Sequence, residues 1–158
     1  MSLGLYLHIP YCFSKCRYCD FYSHPGERGV PDAYVDAVLR ELDRFSPDGP
    51  LHPDTVYFGG GTPSLLTPEQ VRRLIKAAAP VPGAEVTLEA NPETVTEDSL
   101  RGFREAGVNR ISFGVQSARD TQLRTLGRPH TAKQARAAFA AARRAGFANI
   151  SGDIMLAL

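Results

Sequence analysis

Cys12, Cys16 and Cys19 are the three cysteines of the 158-residue sequence, spaced C-x3-C-x2-C. An odd number confined to so short a stretch argues against a disulfide framework and for thiolate ligation. Thiolates are soft, anionic donors suited to iron or zinc. A cubane cluster has four irons, so three protein ligands leave one iron open to an external amine and carboxylate, whereas an electron-transfer cluster normally takes four cysteines. The spacing therefore reads as a [4Fe-4S] site with one open iron. Zinc is the competing reading, with His8, His24 or water as the fourth donor, and a plain electron-transfer module is a further alternative. Pro10, Tyr11, Phe13 and Tyr18 give this loop an apolar wall that suits a cluster and a stacked base.

Other residues stand where a site could use them. Gly59-Gly60-Gly61-Thr62 follows an apolar strand, and its glycines either let the backbone approach a ligand closely or make a tight turn. Glu89 closes another apolar run, so it must face solvent, a salt-bridge partner or a ligand. Gln116, Arg128 and Asp153 lie at or near strand C-terminal ends, the face on which α/β barrels build their sites; ligand-free surface groups are the plainer reading. Tyr6 is either a neighbour of such a site or core packing. No Ser-His-Asp set, paired catalytic carboxylates or G-x-x-x-x-G-K motif supports a hydrolase or nucleoside-triphosphatase reading.

The elements that must position these residues alternate. Leu3 to Ile9 reads as a strand ending at Pro10, and Tyr34, Val38, Leu42 and Phe45 recur at helical spacing. Thr55 to Phe58 is a second strand, and Thr67-Pro68-Glu69-Gln70 is a capping box opening a helix with Val71, Leu74, Ile75 and Ala78 on one face. Strands at Ala84 to Glu89, Arg110 to Phe113 and Ala148 to Ile154 are separated by helices capped at Thr96 and Thr131. The segment Ala106 to Ser112 resembles Ala145 to Ser151, one strand-helix unit later. The expected fold class is α/β, with about five parallel strands in right-handed units and outer helices. Five strands are too few to close an eight-stranded barrel, so the fold is expected to be incomplete at the C-terminus.

Composition agrees with a globular chain: 43% hydrophobic and 22% charged residues, with 18 basic against 17 acidic side chains. That balance offers no overall electrostatic footprint for nucleic acid. No apolar run approaches the roughly 18 to 20 residues of a membrane span, and nothing at the N-terminus reads as a signal peptide, so a cytoplasmic location is expected.

The C-x3-C-x2-C pattern with Tyr18 before its last cysteine resembles the radical S-adenosylmethionine (SAM) superfamily. The flanks Tyr6-Leu7-His8-Ile9-Pro10-Tyr11 and Asp20-Phe21 narrow the likeness to oxygen-independent coproporphyrinogen III oxidases and their relatives, the heme chaperones. So do Phe58-Gly59-Gly60-Gly61-Thr62-Pro63-Ser64, Glu89-Ala90-Asn91-Pro92, Ser112-Phe113-Gly114-Val115-Gln116-Ser117 and Leu126-Gly127-Arg128-Pro129-His130. The resemblance implies a partial radical SAM (β/α) barrel, with residues 1–158 as the N-terminal part of the core domain and the rest of the barrel and a C-terminal domain absent. It implies a [4Fe-4S] cluster on Cys12, Cys16 and Cys19, and SAM held by Gly60, Gly61 and Thr62, with Tyr6, Tyr18, Glu89, Gln116, Arg128 and Asp153 as further contacts. Arg128 would neutralise the SAM carboxylate, and His8 would lie on the porphyrin side. A flavodoxin or ferredoxin would supply the electron that cleaves SAM to methionine and a 5′-deoxyadenosyl radical.

Two functions compete within the resemblance: oxidative decarboxylation of coproporphyrinogen III, and binding of heme with delivery to a recipient protein. The oxidase branch carries a further cysteine two places after the third ligand. Phe21 stands there in this sequence, which favours the heme chaperones.

Overall fold

The computed structural model describes residues 2–156. Its main sheet contains β1 (Gly4–Ile9), β4 (Thr55–Gly60), β5 (Glu85–Ala90), β6 (Arg110–Gln116) and β7 (Asn149–Ile154), all parallel and in sequential order. Between β1 and β4 lie two short strands, β2 (Tyr11–Cys12) and β3 (His24–Pro25), which pair with each other. The helices are α1 (Asp32–Phe45), α2 (Pro68–Ala78), α3 (Glu97–Ala106), α4 (Asp120–Leu126) and α5 (Ala132–Arg144). Sequential strand order, without the reversal that makes a switch point in doubly wound sheets, is the winding of a (β/α) barrel.

Alternation along each strand gives the sheet two unlike faces. Leu7, Ile9, Val56, Phe58, Val86, Leu88, Ile111 and Phe113 are buried in one core with Val35, Leu42, Val71, Leu74, Leu100 and Phe103 of the helices. Phe58 and Phe113 have no exposed surface, and truncating either to alanine should cost about 3–5 kcal/mol. The opposite face carries Tyr57, Thr87, Glu89, Arg110, Ser112, Ser151 and Asp153. These satisfy one another: Arg110 donates to Thr87 Oγ1 at 3.2 Å and Ser151 Oγ at 3.0 Å, and Ser151 Oγ reaches Ser112 Oγ at 2.9 Å.

The expected capping boxes form at Thr67 with Gln70 and at Thr131 with Gln134, and Thr96 forms a third with Ser99. The sequence repeat has a structural meaning. Arg110, Ile111 and Ser112 of β6 sit opposite Asn149, Ile150 and Ser151 of β7, the residues that the repeat aligns. Within α1 the structure departs from the expected stripe: Val35 is completely buried, while Phe45 is 75% exposed. The helix lies beside β1, an edge strand, and Phe45 in its last turn borders an open groove whose other side is Leu5, Tyr6 and Leu7. No helix among the described residues is long and apolar enough to cross a membrane.

Candidate functional site

The cysteine segment is not a free loop. Cys12 lies in β2 and is buried, whereas Cys16 and Cys19 are partly exposed on the turn that follows. The base of the turn is closed by His24 N–H donating to the Pro10 carbonyl at 2.6 Å and Glu27 N–H donating to the Cys12 carbonyl at 3.1 Å. Its far side is tied to the end of α4, where Arg17 N–H donates to the Leu126 carbonyl at 3.0 Å.

All three cysteines line one cleft at the C-terminal rim of the sheet, together with Tyr18, Gly60, Gly61 and Thr62. The other wall is made by Glu89, Gln116, Arg128 and Asp153. Parallel pairing explains the convergence: each strand delivers its last residues to the same rim, and the register sets Glu89 beside Ser112 and Gly114 beside Asp153.

The glycines are shaped by close approach. Gly60 has φ +113°, a conformation that suits glycine, and a Cβ on it would lie 2.7 Å from the His8 ring. A Cβ on Gly61 would lie 2.7 Å from the Tyr11 carbonyl oxygen and 3.0 Å from Cys12 Sγ. Thr62 Oγ1 lies 3.6 Å from Cys12 Sγ and accepts from Asn91 Nδ2 at 3.2 Å.

Arg128 is the buried cation of the cleft. Its Nη1 donates to Cys16 Sγ at 3.3 Å, and Nη2 donates to Asn91 Oδ1 at 2.6 Å and to the Gly114 carbonyl at 2.8 Å. Arg128 Nε is buried without a hydrogen-bond partner among the described residues. A buried, unpartnered N–H on a guanidinium that also donates to Cys16 fits an anionic ligand such as a carboxylate. Burial raises the Tyr18 phenol to about 12, with the Cys16 and Cys19 thiols pushing the same way against the Arg128 charge, so Tyr18 stays protonated.

Glu89 makes no salt bridge among the described residues. It accepts from Tyr57 Oη at 2.8 Å. Burial pushes its carboxyl above the ordinary range and Asp153 adds to the rise, while the Tyr57 hydroxyl and the Gly60 amide oppose it. Burial likewise raises the Tyr57 phenol, helped by Glu89.

Tyr6 and His8 lie outside the residues lining the cleft. Tyr6 pairs with Tyr57 in register and stacks on that ring, centroids 6.0 Å apart, one layer below the rim. His8 lies between, its Nε2 3.0 Å from the Tyr22 carbonyl. Among the described residues no three His, Cys, Asp or Glu side chains are grouped to hold a single metal ion.

Three further residues belong to the site although their sequence context does not single them out: Asn91, which bridges Arg128 and Thr62, and Ser112 and Lys15 on the cleft wall. The one local mark of Asn91 is that it is a polar residue just past a strand, held extended by Pro92. Ser112 falls inside a strand, where only register shows that it meets the site.

An open, singly wound parallel sheet with a three-cysteine cleft at its C-terminal rim defines an α/β protein of the (β/α)-barrel class. The sequence profile of the radical SAM superfamily matches residues 6–158, and the chain belongs to that superfamily. Membership implies a [4Fe-4S] cluster and SAM, and the donor set and the free Arg128 N–H fit both. The heme chaperone HemW of Escherichia coli is 42% identical over 97% of this chain and 42% of its own length. The mitochondrial radical S-adenosyl methionine domain-containing protein 1 of Bos taurus is 43% identical over 98% of this chain and 36% of its own. Among solved structures, coproporphyrinogen III oxidase (HemN) from Escherichia coli superposes with a TM-score of 0.86 at 30% identity, covering 97% of this chain and 37% of that one. The chain thus spans about two fifths of the length of these relatives.

Proposed function

We propose that residues 1–158 are the cluster- and SAM-binding N-terminal part of a radical SAM core domain, in a protein that binds heme and delivers it to a recipient protein. The observation that carries the cofactor reading is the placement of three free cysteines and one buried, partly unpartnered guanidinium on one cleft. Cys12, Cys16 and Cys19 would hold the cluster. When bound, it supplies one electron to the SAM sulfonium, taken in turn from a flavodoxin or ferredoxin.

The chain's own residues bind and orient. Arg128 Nε is the donor available to the SAM carboxylate, while its other nitrogens fix the guanidinium against Asn91 and the Gly114 carbonyl. Gly60 and Gly61 keep the floor open to backbone approach, and Thr62 stands beside Cys12 to complete it. Glu89, Gln116 and Asp153 offer polar edges to the amino and ribose groups, and Tyr18 covers the cleft as a neutral phenol. Tyr6 supports the floor through its stack on Tyr57.

Two observations favour heme handling: Phe21 lines the cleft at the position where oxidases carry a further cysteine, and curated relatives bear the name heme chaperone. The structural likeness to HemN supports coproporphyrinogen oxidation as the second reading. A cytoplasmic location suits the balanced charge and the unpaired cysteines.

Anaerobic reconstitution followed by metal analysis tests the cofactor: about four irons per chain is the expected result, and stoichiometric zinc would overturn it. Heme titration tests the function. Saturable heme binding without consumption of coproporphyrinogen is expected, whereas decarboxylation without heme binding would replace the chaperone by the oxidase.

A further inference from the structure

His130 is buried at the end of the Leu126–His130 stretch, with a side chain of zero exposure. Both ring nitrogens face acceptors: Nδ1 is 3.0 Å from Glu93 Oε2, and Nε2 is 3.1 Å from the Val115 carbonyl. A carbonyl can only accept, so Nε2 is the donor to Val115, and Nδ1 is turned to the Glu93 carboxyl group. Glu93 also faces Arg128.

The carbonyl that His130 holds closes an unusual turn. Val115 O also accepts from Ser117 N–H at 2.8 Å, an i→i+2 bond around Gln116, whose φ is +65°. That bond and that φ are those of a γ-turn of the rare, strained kind. The strain falls on a cleft residue that is not glycine, and such conformations persist only where the surroundings hold them. The pairing register with β7 shifts between Gly114 and Gln116; beyond the shift the Gln116 carbonyl accepts from Met155 N–H at 3.0 Å, so β7 holds the far side of the turn while the Val115 carbonyl on its near side is held by His130.

Arg128 and His130 grip the same two segments in parallel. Arg128 joins Asn91 to the Gly114 carbonyl, and His130 joins Glu93 to the Val115 carbonyl. Pro129 between them restricts the backbone of the pair. The turn after β5 and the end of β6 are thereby clasped twice, with Gln116 immediately beyond the clasp.

We propose that His130 is a positioning residue: through Nε2 it holds the strained turn that presents Gln116 to the cleft, and through Glu93 it ties that turn to the segment carrying Asn91. It touches no reacting group. Its effect on ligand binding rests on the SAM reading above; its effect on the turn does not.

Asparagine and glutamine separate the two bonds, because an Asn amide reaches the place of Nδ1 and a Gln amide that of Nε2. His130→Gln keeps a donor for the Val115 carbonyl, while His130→Asn keeps the contact with Glu93 and drops the carbonyl. Amide hydrogen exchange at Ser117 reads the turn, with Leu88 of β5 as the core reference, and equilibrium dialysis of SAM against the reconstituted chain reads the ligand. In His130→Asn, loss of a bond on this carbonyl should speed Ser117 exchange about tenfold and weaken SAM binding about tenfold, with Leu88 unchanged; His130→Gln should stay within about threefold of wild type in both.

Equal Ser117 exchange in the two variants would overturn the proposal. If the wild-type chain binds no SAM, the proposed function falls, and Ser117 exchange alone still decides the role of His130. If His130→Asn does not fold, the wild-type imidazole spectrum decides: a solvent-protected proton on His130 Nε2 is expected, and an unprotonated Nε2 would refute the clasp.

Discussion

Gly61 is where the floor of the cleft has least room. Its φ is not in the left-handed region, so alanine would suffer no backbone strain there, and the whole penalty of Gly61→Ala is contact. The new Cβ would lie 2.7 Å from the Tyr11 carbonyl oxygen, 2.9 Å from that of Ile9 and 3.0 Å from Cys12 Sγ. Two of these neighbours are backbone, held by Thr62 N–H donating to Tyr11 O at 2.8 Å and Gly61 N–H donating to Ile9 O at 2.8 Å. Relief therefore means parting the segment from β1 and β2. Overpacking of this kind costs about 1–3 kcal/mol, and weakening the two bonds adds about 1 kcal/mol. A total near 3 kcal/mol should lower Tm by about 6–12 °C in a domain of this size. Because the displaced atoms include the Cys12 sulfur, iron uptake on anaerobic reconstitution should fall as well. Gly29→Ala is the control, since a Cβ there meets nothing within 4 Å, and it should change stability by less than about 0.5 kcal/mol. Thermal unfolding and iron analysis of both variants check the argument. If Gly61→Ala melts and loads iron like Gly29→Ala, the close-packed floor is refuted.

Replacing Arg128 by methionine strands the Asn91 Oδ1 and Gly114 acceptors and removes the free Nε donor, so SAM affinity in equilibrium dialysis should fall by about 10- to 100-fold. Binding within a factor of about two would exclude Arg128 from the ligand. Cys16→Ser should abolish stable four-iron loading while leaving the far-ultraviolet circular dichroism unchanged, because Cys16 lies outside every strand and helix of the core. The Glu89 carboxyl is raised by burial, so the folded chain binds more protons there than the unfolded chain, and its ionisation subtracts stability as pH climbs from the ordinary carboxylate value of 4.5 through the raised one. Glu89→Gln should accordingly be more stable relative to wild type at pH 7 than at pH 4, measured by Tm across that range; a gap that does not vary with pH would contradict the burial argument.

Much of the architecture was legible in local sequence because its signals are local. A capping box at Thr67 or Thr131 satisfies its own helix, and alternation along Val86, Leu88 and Ala90 sorts a strand's two faces without knowledge of its neighbours. The cysteine spacing states its donor set in the same way. Less legible was α4, only seven residues long, and the β2–β3 ladder, which is two residues deep. Neither carries enough periodicity to stand out. Helical spacing sets Phe45 on the apolar stripe but does not show that the groove it borders, beside the edge strand β1, is left open.

For the site, the division is between which residues and which neighbours. Cys12, Cys16, Cys19, Gly60, Gly61, Thr62, Glu89, Gln116, Arg128 and Asp153 could be named from residue type, strand ends and family likeness, and they meet on one cleft. Tyr6 sits a layer lower, because register with Tyr57 sets its height on the sheet. Asn91, Ser112 and the His130–Glu93 clasp depend on contacts between residues 29 and 37 positions apart or on strand register. The donors, the helix caps and the two-faced strands are local properties of the chain, since each is settled within a few residues. That Arg128 keeps one N–H without a partner beside Cys16, and that Gln116 is held in a strained turn, emerges with the folded chain, because both follow from how distant segments close around a shared rim.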